Sequence, residues 1–180
     1  ALAMSVLSLF VGYQLGPWGF GATIVGVLAA WAYSAEPVRL KRSGWWGPGL
    51  VGLSYESLPW FTGAAVLAAG APSWQIVLIA VLYGIGAHGI MTLNDFKALE
   101  GDTKMGVNSL PVTLGPDRAA HVACWIMAVP QIAVIALRGF VMQDNEVTNL
   151  LCFVMGNAVI AVSVGRVERL IRKHLKQFGN

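Results

Sequence analysis

An all-α fold, a polytopic transmembrane helical bundle, is what this sequence predicts, and three observations predict it. The 180 residues are 56% apolar and only 12% charged, with a mean hydropathy of +0.64, where a soluble chain carries about 25% charged residues. Apolar runs recur along the chain, each approaching the ~20 residues that a bilayer crossing needs. Lys and Arg gather on alternate connections between those runs, as expected when these connections face the cytoplasm.

Residues 1–13 read as the end of one span. No basic stretch precedes them and no cleavage site follows, so a signal peptide is not expected and the chain is expected to begin inside a helix. A short turn, Gln14–Gly16, leads to the second run, 17–34. The third run, 49–71, contains Pro59, which removes a backbone donor and should kink its helix. Gly70–Ser73 is again a short turn. The fourth run, 74–93, carries Ala80, Gly84, Gly86, Ala87 and Gly89, a small-residue face suited to close helix contact. The fifth, 118–137, holds Pro130, another expected kink, and the sixth is 148–165. From Arg166 to Phe178, Val167, Leu170, Ile171, Leu175 and Phe178 recur at helical spacing among basic residues. This segment reads as an amphipathic helix at the membrane surface, or as a connection to a further span.

Eleven of the twelve Lys and Arg residues fall after the second, fourth and sixth runs; Arg138 is the exception. Short turns on one side and long connections, 35–48 and 94–117, on the other suggest an antiparallel bundle with its function at the cytoplasmic face. The net charge of +3 and pI of about 9.1 then reflect topology and anionic membrane lipid, not nucleic acid. Cys124 and Cys152 lie in apolar runs, with no disulfide framework and no metal-ligand spacing, and read as packing residues.

The densest chemistry lies between Asn94 and Lys104, where Asp95, Glu100 and Asp102 stand with Lys97 and Lys104 directly after an apolar run. Three carboxylates with lysines nearby suit a divalent cation and, through it, a polyanion such as diphosphate. If the helix continues, Asp95 and Asp102 are seven residues apart and share a face. Glu100 points elsewhere unless Gly101 breaks the helix. The plainer reading is a solvated loop that ends a helix. On the same side lies Tyr33-Ser34-Ala35-Glu36-Pro37-Val38-Arg39-Leu40-Lys41-Arg42. Its cations fit membrane anchoring, yet an oppositely charged loop on the same face favours a shared site, with Tyr33 at its edge. Glu56 lies inside an apolar run, where a charge normally faces a polar cavity or a partner. Tyr55, Pro59, Trp60 and Phe61 surround it, and aromatic faces suit a transient allylic cation, although packing is their commoner role. His88 reads as a hydrogen-bonded core histidine. Gly84-Ile85-Gly86-Ala87-His88-Gly89 matches the dinucleotide fingerprint by letter, but that motif needs a preceding strand, and packing is the expected use here.

These residues resemble the UbiA-type intramembrane prenyltransferases. The second aspartate motif of that family is similar to Asn94-Asp95-Phe96-Lys97-x-x-Glu100-Gly101-Asp102 with Lys104-Met105-Gly106-Val107-Asn108-Ser109-Leu110-Pro111-Val112. Within the family the chlorophyll and bacteriochlorophyll synthase branch is resembled by these blocks. Tyr33-Ser34-x-x-Pro37-x-Arg39-Leu40-Lys41, Gly44-Trp45-Trp46-Gly47 and Tyr55-Glu56-x-Leu58-Pro59-Trp60 add to the likeness, which covers most of residues 17–140. The resemblance implies nine spans around a cavity open to the cytoplasm, of which about six are expected here. The implied activity is Mg²⁺-dependent esterification of the propionate of (bacterio)chlorophyllide by a geranylgeranyl or phytyl group from its diphosphate. By the same resemblance Asp95, Asp102 and Glu100 are metal ligands, and Asn94 supports them. Arg39, Lys41 and Lys104 contact diphosphate, Tyr33 lies near the reacting end, and Glu56 faces substrate. The family's first motif, Asn-Asp-x-x-Asp-x-x-x-Asp, is absent from the 180 residues. They are therefore expected to be one domain truncated at the N-terminus and at the C-terminus, and inactive alone. A different class of protein, a membrane transporter or a non-catalytic pigment-assembly subunit, is the competing expectation, but no internal repeat supports it.

Overall fold

The structure, a computed structural model, describes residues 1–141 and residue 169. Among these the chain is built of helices, and the extended contact is one isolated parallel bridge between Ser43 and Asn108. Helix α1 (Leu2–Tyr13) turns directly into α2 (Gly16–Ser34), where Gly16 adopts a φ of +79° and Pro17 takes the first helical turn. Next, α3 (Trp46–Gly52), a five-residue π-helical turn (Leu53–Ser57) and α4 (Leu58–Leu67) follow one another without a break. Pro59 stands in the first turn of α4, and its ring displaces the carbonyls behind it. Where a kink is expected at Pro59, the chain has this widened turn immediately before it, a feature frequent at functional sites.

The next helices form a single rod. α5 (Trp74–Asp95), a 3-10 turn (Phe96–Ala98) and α6 (Leu99–Met105) run continuously from Trp74 to Met105 over 32 residues. At ~1.5 Å per residue such a rod is ~48 Å long and exceeds a ~30 Å hydrocarbon core. Residues 94–105 therefore project beyond the apolar run 74–93. Gly101 does not break the rod. After α7 (Leu110–Leu114), α8 (Pro116–Val141) continues past Pro130. Among the described residues Trp74–Met105 and Pro116–Leu137 are long and apolar enough to cross a membrane. The segments 16–34 and 46–67 occupy the positions of two further expected spans, and α1 is a shorter apolar helix. The sixth run, the amphipathic segment from Arg166 to Phe178 and Cys152 lie outside the described residues, apart from the exposed Arg169.

Packing is inverted relative to a soluble domain. The buried apolar residues are mostly Ala22, Ala29, Ala65, Ala80, Ala119, Ala120 and Ala123, whereas Phe10, Trp31, Leu67, Trp74 and Trp125 stand exposed. Small residues inside and large apolar ones outside are what helix association in lipid requires, because lipid tails are as apolar as leucine. α5 is the hub, in contact with α3, α4, α7 and α8. Of its fingerprint-like glycines, Gly84 and Gly89 serve packing, as expected, whereas nothing lies within 4 Å of a Cβ added at Gly86. A side chain on Gly84 would strike Ser57 and the Gly52 backbone, and one on Gly89 would come within 2.7 Å of the Ala123 carbonyl. His88 is buried, its Nε2 donating to the Trp45 carbonyl at 3.0 Å. It thereby ties the start of α3 to the middle of α5.

Candidate active site

Two connections meet at one end of this bundle. The Gly44 amide donates to the Asn108 carbonyl at 2.8 Å and the Asn108 amide to the Arg42 carbonyl at 3.0 Å. These bonds stitch the connection after α2 to the segment after α6. The stitch is close because Gly44 lacks a side chain: a Cβ there would stand 2.8 Å from the Asn108 carbonyl. Beneath it lies a hollow of about 110 Å³ lined by Tyr33, Lys41, Asp95, Asp102 and Ser109, with Gly44 and Gly47 in its walls. The basic and acidic segments, expected to share one face, do so here.

Helical register sorts the carboxylates. Seven residues turn a helix by about two full turns, so Asp102 returns to the side of Asp95, while the five residues to Glu100 rotate it by roughly 140°. Glu100, expected among the metal ligands, is accordingly outside the hollow, exposed and paired with Lys104 at 2.6 Å. Lys104 is thereby also turned from the hollow. Asn94 accepts from Lys97 at 3.5 Å and does not line the hollow. The basic segment is divided as well. Its backbone is left-handed at Arg39 (φ +38°), and this reverses the chain between Arg39 and Lys41. Arg39 pairs with Glu36 at 2.7 Å and lines a separate hollow of about 250 Å³ with Arg42 and Asn108. That pairing holds the exposed Glu36 carboxyl below its usual range.

An apolar chamber of about 560 Å³ adjoins the polar hollow, and Tyr33, Val51 and Met91 line both. Glu56, on the π-helical turn, lines the chamber, together with small residues of α2, Gly26, Ala29 and Ala30. Ser109 was not singled out in the sequence, although it lies in the block resembling the second motif. Its hydroxyl is buried without a partner, and burial of a lone serine leaves no mark in sequence pattern.

Residues 1–178 match the family model described as the UbiA prenyltransferase family. The chain belongs to that family. Among UbiA relatives it is 74% identical over 137 residues to the bacteriochlorophyll synthase 33 kDa chain of Cereibacter sphaeroides, covering 76% of this chain and 45% of the relative. It is 59% identical over 159 residues to the chain of the same description from Rhodobacter capsulatus, covering 87% and 52%. Chlorophyll synthase, chloroplastic, of Arabidopsis thaliana is 36% identical over 129 residues, covering 72% and 33%. The chain thus spans about half the length of the bacterial relatives it matches. No solved structure matches it. Membership places the protein in the membrane as an integral, all-helical UbiA bundle, in accord with the exposed apolar surface.

The hollow fits the magnesium ion that UbiA prenyltransferases generally use. Among the described residues no cluster of three or more His, Cys, Asp or Glu is present, but Mg²⁺ is usually held by one or two carboxylates together with waters and substrate phosphates. Asp95 and Asp102 both line the hollow and could supply that pair. Asp95 stands beyond the apolar run, and burial, followed by the Asp102 charge, pushes its carboxyl up from 3.8 to about 6. The protonated form is thus favoured by folding: its stabilising contribution is complete below the ordinary carboxylate value and is lost as pH rises through about 6. A bound cation relieves the same repulsion without a proton. Mg²⁺ affinity, measured by calorimetry, is expected to climb between pH 5 and 7, and Asp95→Asn should flatten that profile. An equally steep profile in the variant would contradict the assignment.

Proposed function

We propose that this chain carries the diphosphate-binding half of a UbiA prenyltransferase that esterifies the propionate of (bacterio)chlorophyllide with a geranylgeranyl or phytyl group, the last step of (bacterio)chlorophyll formation. The observation that carries the reading is the junction at Tyr33, Val51 and Met91, where a small charged hollow opens onto a larger apolar chamber. That pairing matches an amphiphile with a charged head and an apolar tail. The names of the relatives, bacteriochlorophyll synthase, support a tetrapyrrole ester as product, and the alternation of Lys and Arg supports a cytoplasmic active face; the membrane we propose is the photosynthetic one.

In this proposal Asp95 and Asp102 would hold Mg²⁺, which would supply charge neutralisation to the departing diphosphate. Lys41, in the same hollow, meets phosphate oxygens as a point charge. A propionate oxygen bonds to the allylic carbon while the carbon–oxygen bond to diphosphate breaks, the bonding pair leaving with the phosphate. The nucleophile is already a carboxylate, so no general base is needed. Tyr33, at the junction, stands where the allylic carbon develops positive charge, which an aromatic face stabilises. Glu56 contacts substrate in the chamber, which excludes water from the reacting carbon.

The test is to incubate membranes holding the enzyme that contains these residues with a prenyl diphosphate and (bacterio)chlorophyllide, and to separate the esters by chromatography. Ester should form with added Mg²⁺ and stop on chelation. No ester, or ester unaffected by chelation, would overturn the proposal.

A further inference from the structure

We infer that Ser109 is a binding residue for the diphosphate, its hydroxyl donating a hydrogen bond to a phosphate oxygen that Lys41 also meets. The inference rests on the proposed function of the hollow. Ser109 is 3% exposed, yet its Oγ has no hydrogen-bond partner. Buried hydroxyls are nearly always satisfied, so an orphan in a cavity wall marks a missing partner.

Its position suggests a cap, since Ser109 stands immediately before α7, but its side chain makes no capping bond. The carbonyl of Ser109 is fully used instead. It accepts from the Val112 amide at 3.1 Å, the Thr113 amide at 3.0 Å and the Thr113 hydroxyl at 3.1 Å. The hydroxyl is left without a partner, in a residue that lines the hollow together with Lys41, Asp95 and Asp102. It is also held in place: Leu110 and Pro111, directly after it, are among the most buried side chains described, and Gly44 presses on the segment from the other loop. A donor fixed before the ligand arrives needs little ordering on binding.

The chemistry of the partner follows from the donor inventory. A hydroxyl offers one hydrogen and two lone pairs. Two carboxylates share the cavity, but neither takes the hydrogen. An anionic oxygen brought in by the ligand is the acceptor that completes the set. The other use of a hydroxyl beside carboxylates is direct ligation of the metal through a lone pair, and the two uses predict different dependences.

The test uses the enzyme that contains these residues, in detergent, with calorimetric titration of inorganic pyrophosphate in the presence of Mg²⁺, and of Mg²⁺ alone. Ser109→Ala should weaken binding of Mg²⁺-pyrophosphate by about 10- to 100-fold, the range for a hydrogen bond to a charged acceptor. Binding of Mg²⁺ alone should stay unchanged. Thermal stability without ligand should hold or rise, because an unpartnered buried polar group is removed. Ser109→Cys, nearly equal in size but a weak donor, should show the same loss, and stands in if the alanine variant folds poorly. Wild-type affinity in both variants would overturn the inference. So would weakened Mg²⁺ binding on its own, which would make Ser109 a metal ligand, or lowered stability without ligand in the cysteine variant, which would make it a packing residue. A wild-type chain that binds pyrophosphate equally with and without Mg²⁺, or not at all, would instead overturn the reading of the hollow, and the inference with it.

Discussion

Asp95→Asn and Asp102→Asn are each expected to lower Mg²⁺-dependent ester formation by at least about 100-fold in the enzyme containing these residues, because a bound metal supplies several kcal/mol of charge stabilisation to such a transition state and each 1.4 kcal/mol is tenfold. Asn keeps the size of Asp and removes the charge, so folding should survive. The two substitutions should not add, since both residues line one hollow of about 110 Å³ and, in the proposed function, act on one ion. Glu100→Gln provides the contrast. Its carboxylate is exposed and pairs with Lys104 outside the hollow, and exposed pairs contribute about 0–1 kcal/mol. Rates for Glu100→Gln should therefore stay within about threefold of wild type. Loss of activity with Glu100→Gln as deep as with Asp102→Asn would show that the register of α6 changes when substrate binds and that three carboxylates gather after all.

A second large effect is expected where α3 and α5 touch. A Cβ on Gly52 would collide with the Gly84 carbonyl, and one on Gly84 with Ser57, whose hydroxyl donates to the Ala80 carbonyl at 3.0 Å. At Gly52 the obstacle is backbone, and at Gly84 it is a short hydroxyl held by the Ala80 carbonyl with the Gly52 backbone behind it, so neither site readily admits a larger residue. Gly52→Val or Gly84→Val should lower stability by about 1–3 kcal/mol or more, the usual cost of overpacking, seen as a fall in Tm in detergent. The site should loosen with the fold, because α5 carries Asp95 at its end and α3 begins beside Lys41 and Gly44. Gly86→Ala is the control: nothing lies within 4 Å of a Cβ at that position. It should be neutral or slightly stabilising, as Ala favours a helix over Gly by about 1 kcal/mol. Equal losses at Gly84 and Gly86 would contradict this division of the motif.

Much of this was legible in the sequence because it depends on periodicity and charge sign. The apolar runs gave the helices 16–34, 74–95 and 116–141 nearly at their ends, and the alternation of cations put Lys41 on the same face as Asp95 and Asp102. Seven-residue spacing was enough to pair those two carboxylates. What escaped the sequence depends on backbone conformation or on burial. Arg39 and Lys41 are two residues apart and read as one patch, but the left-handed turn at Arg39 sends them to different hollows. Pro59 announced a kink without specifying the π-helical turn that precedes it. Ser109 was invisible because an ordinary serine before a helix reads as a cap, and only tertiary structure reveals that it caps nothing.

The bridge between residues 43 and 108 has an evolutionary corollary. Since Gly44, Asn108 and Arg42 join through main-chain atoms, the junction tolerates drift in the identity of residues 42 and 108 far better than a change in how many residues separate the landmarks. One residue gained or lost between Asp102 and Asn108, or between Lys41 and Gly44, would shift a charged group past its counterpart, whereas the turn at 68–73 lies at the opposite end and can vary in length. Relatives that keep the chemistry should therefore preserve the spacing of these segments even where their letters diverge.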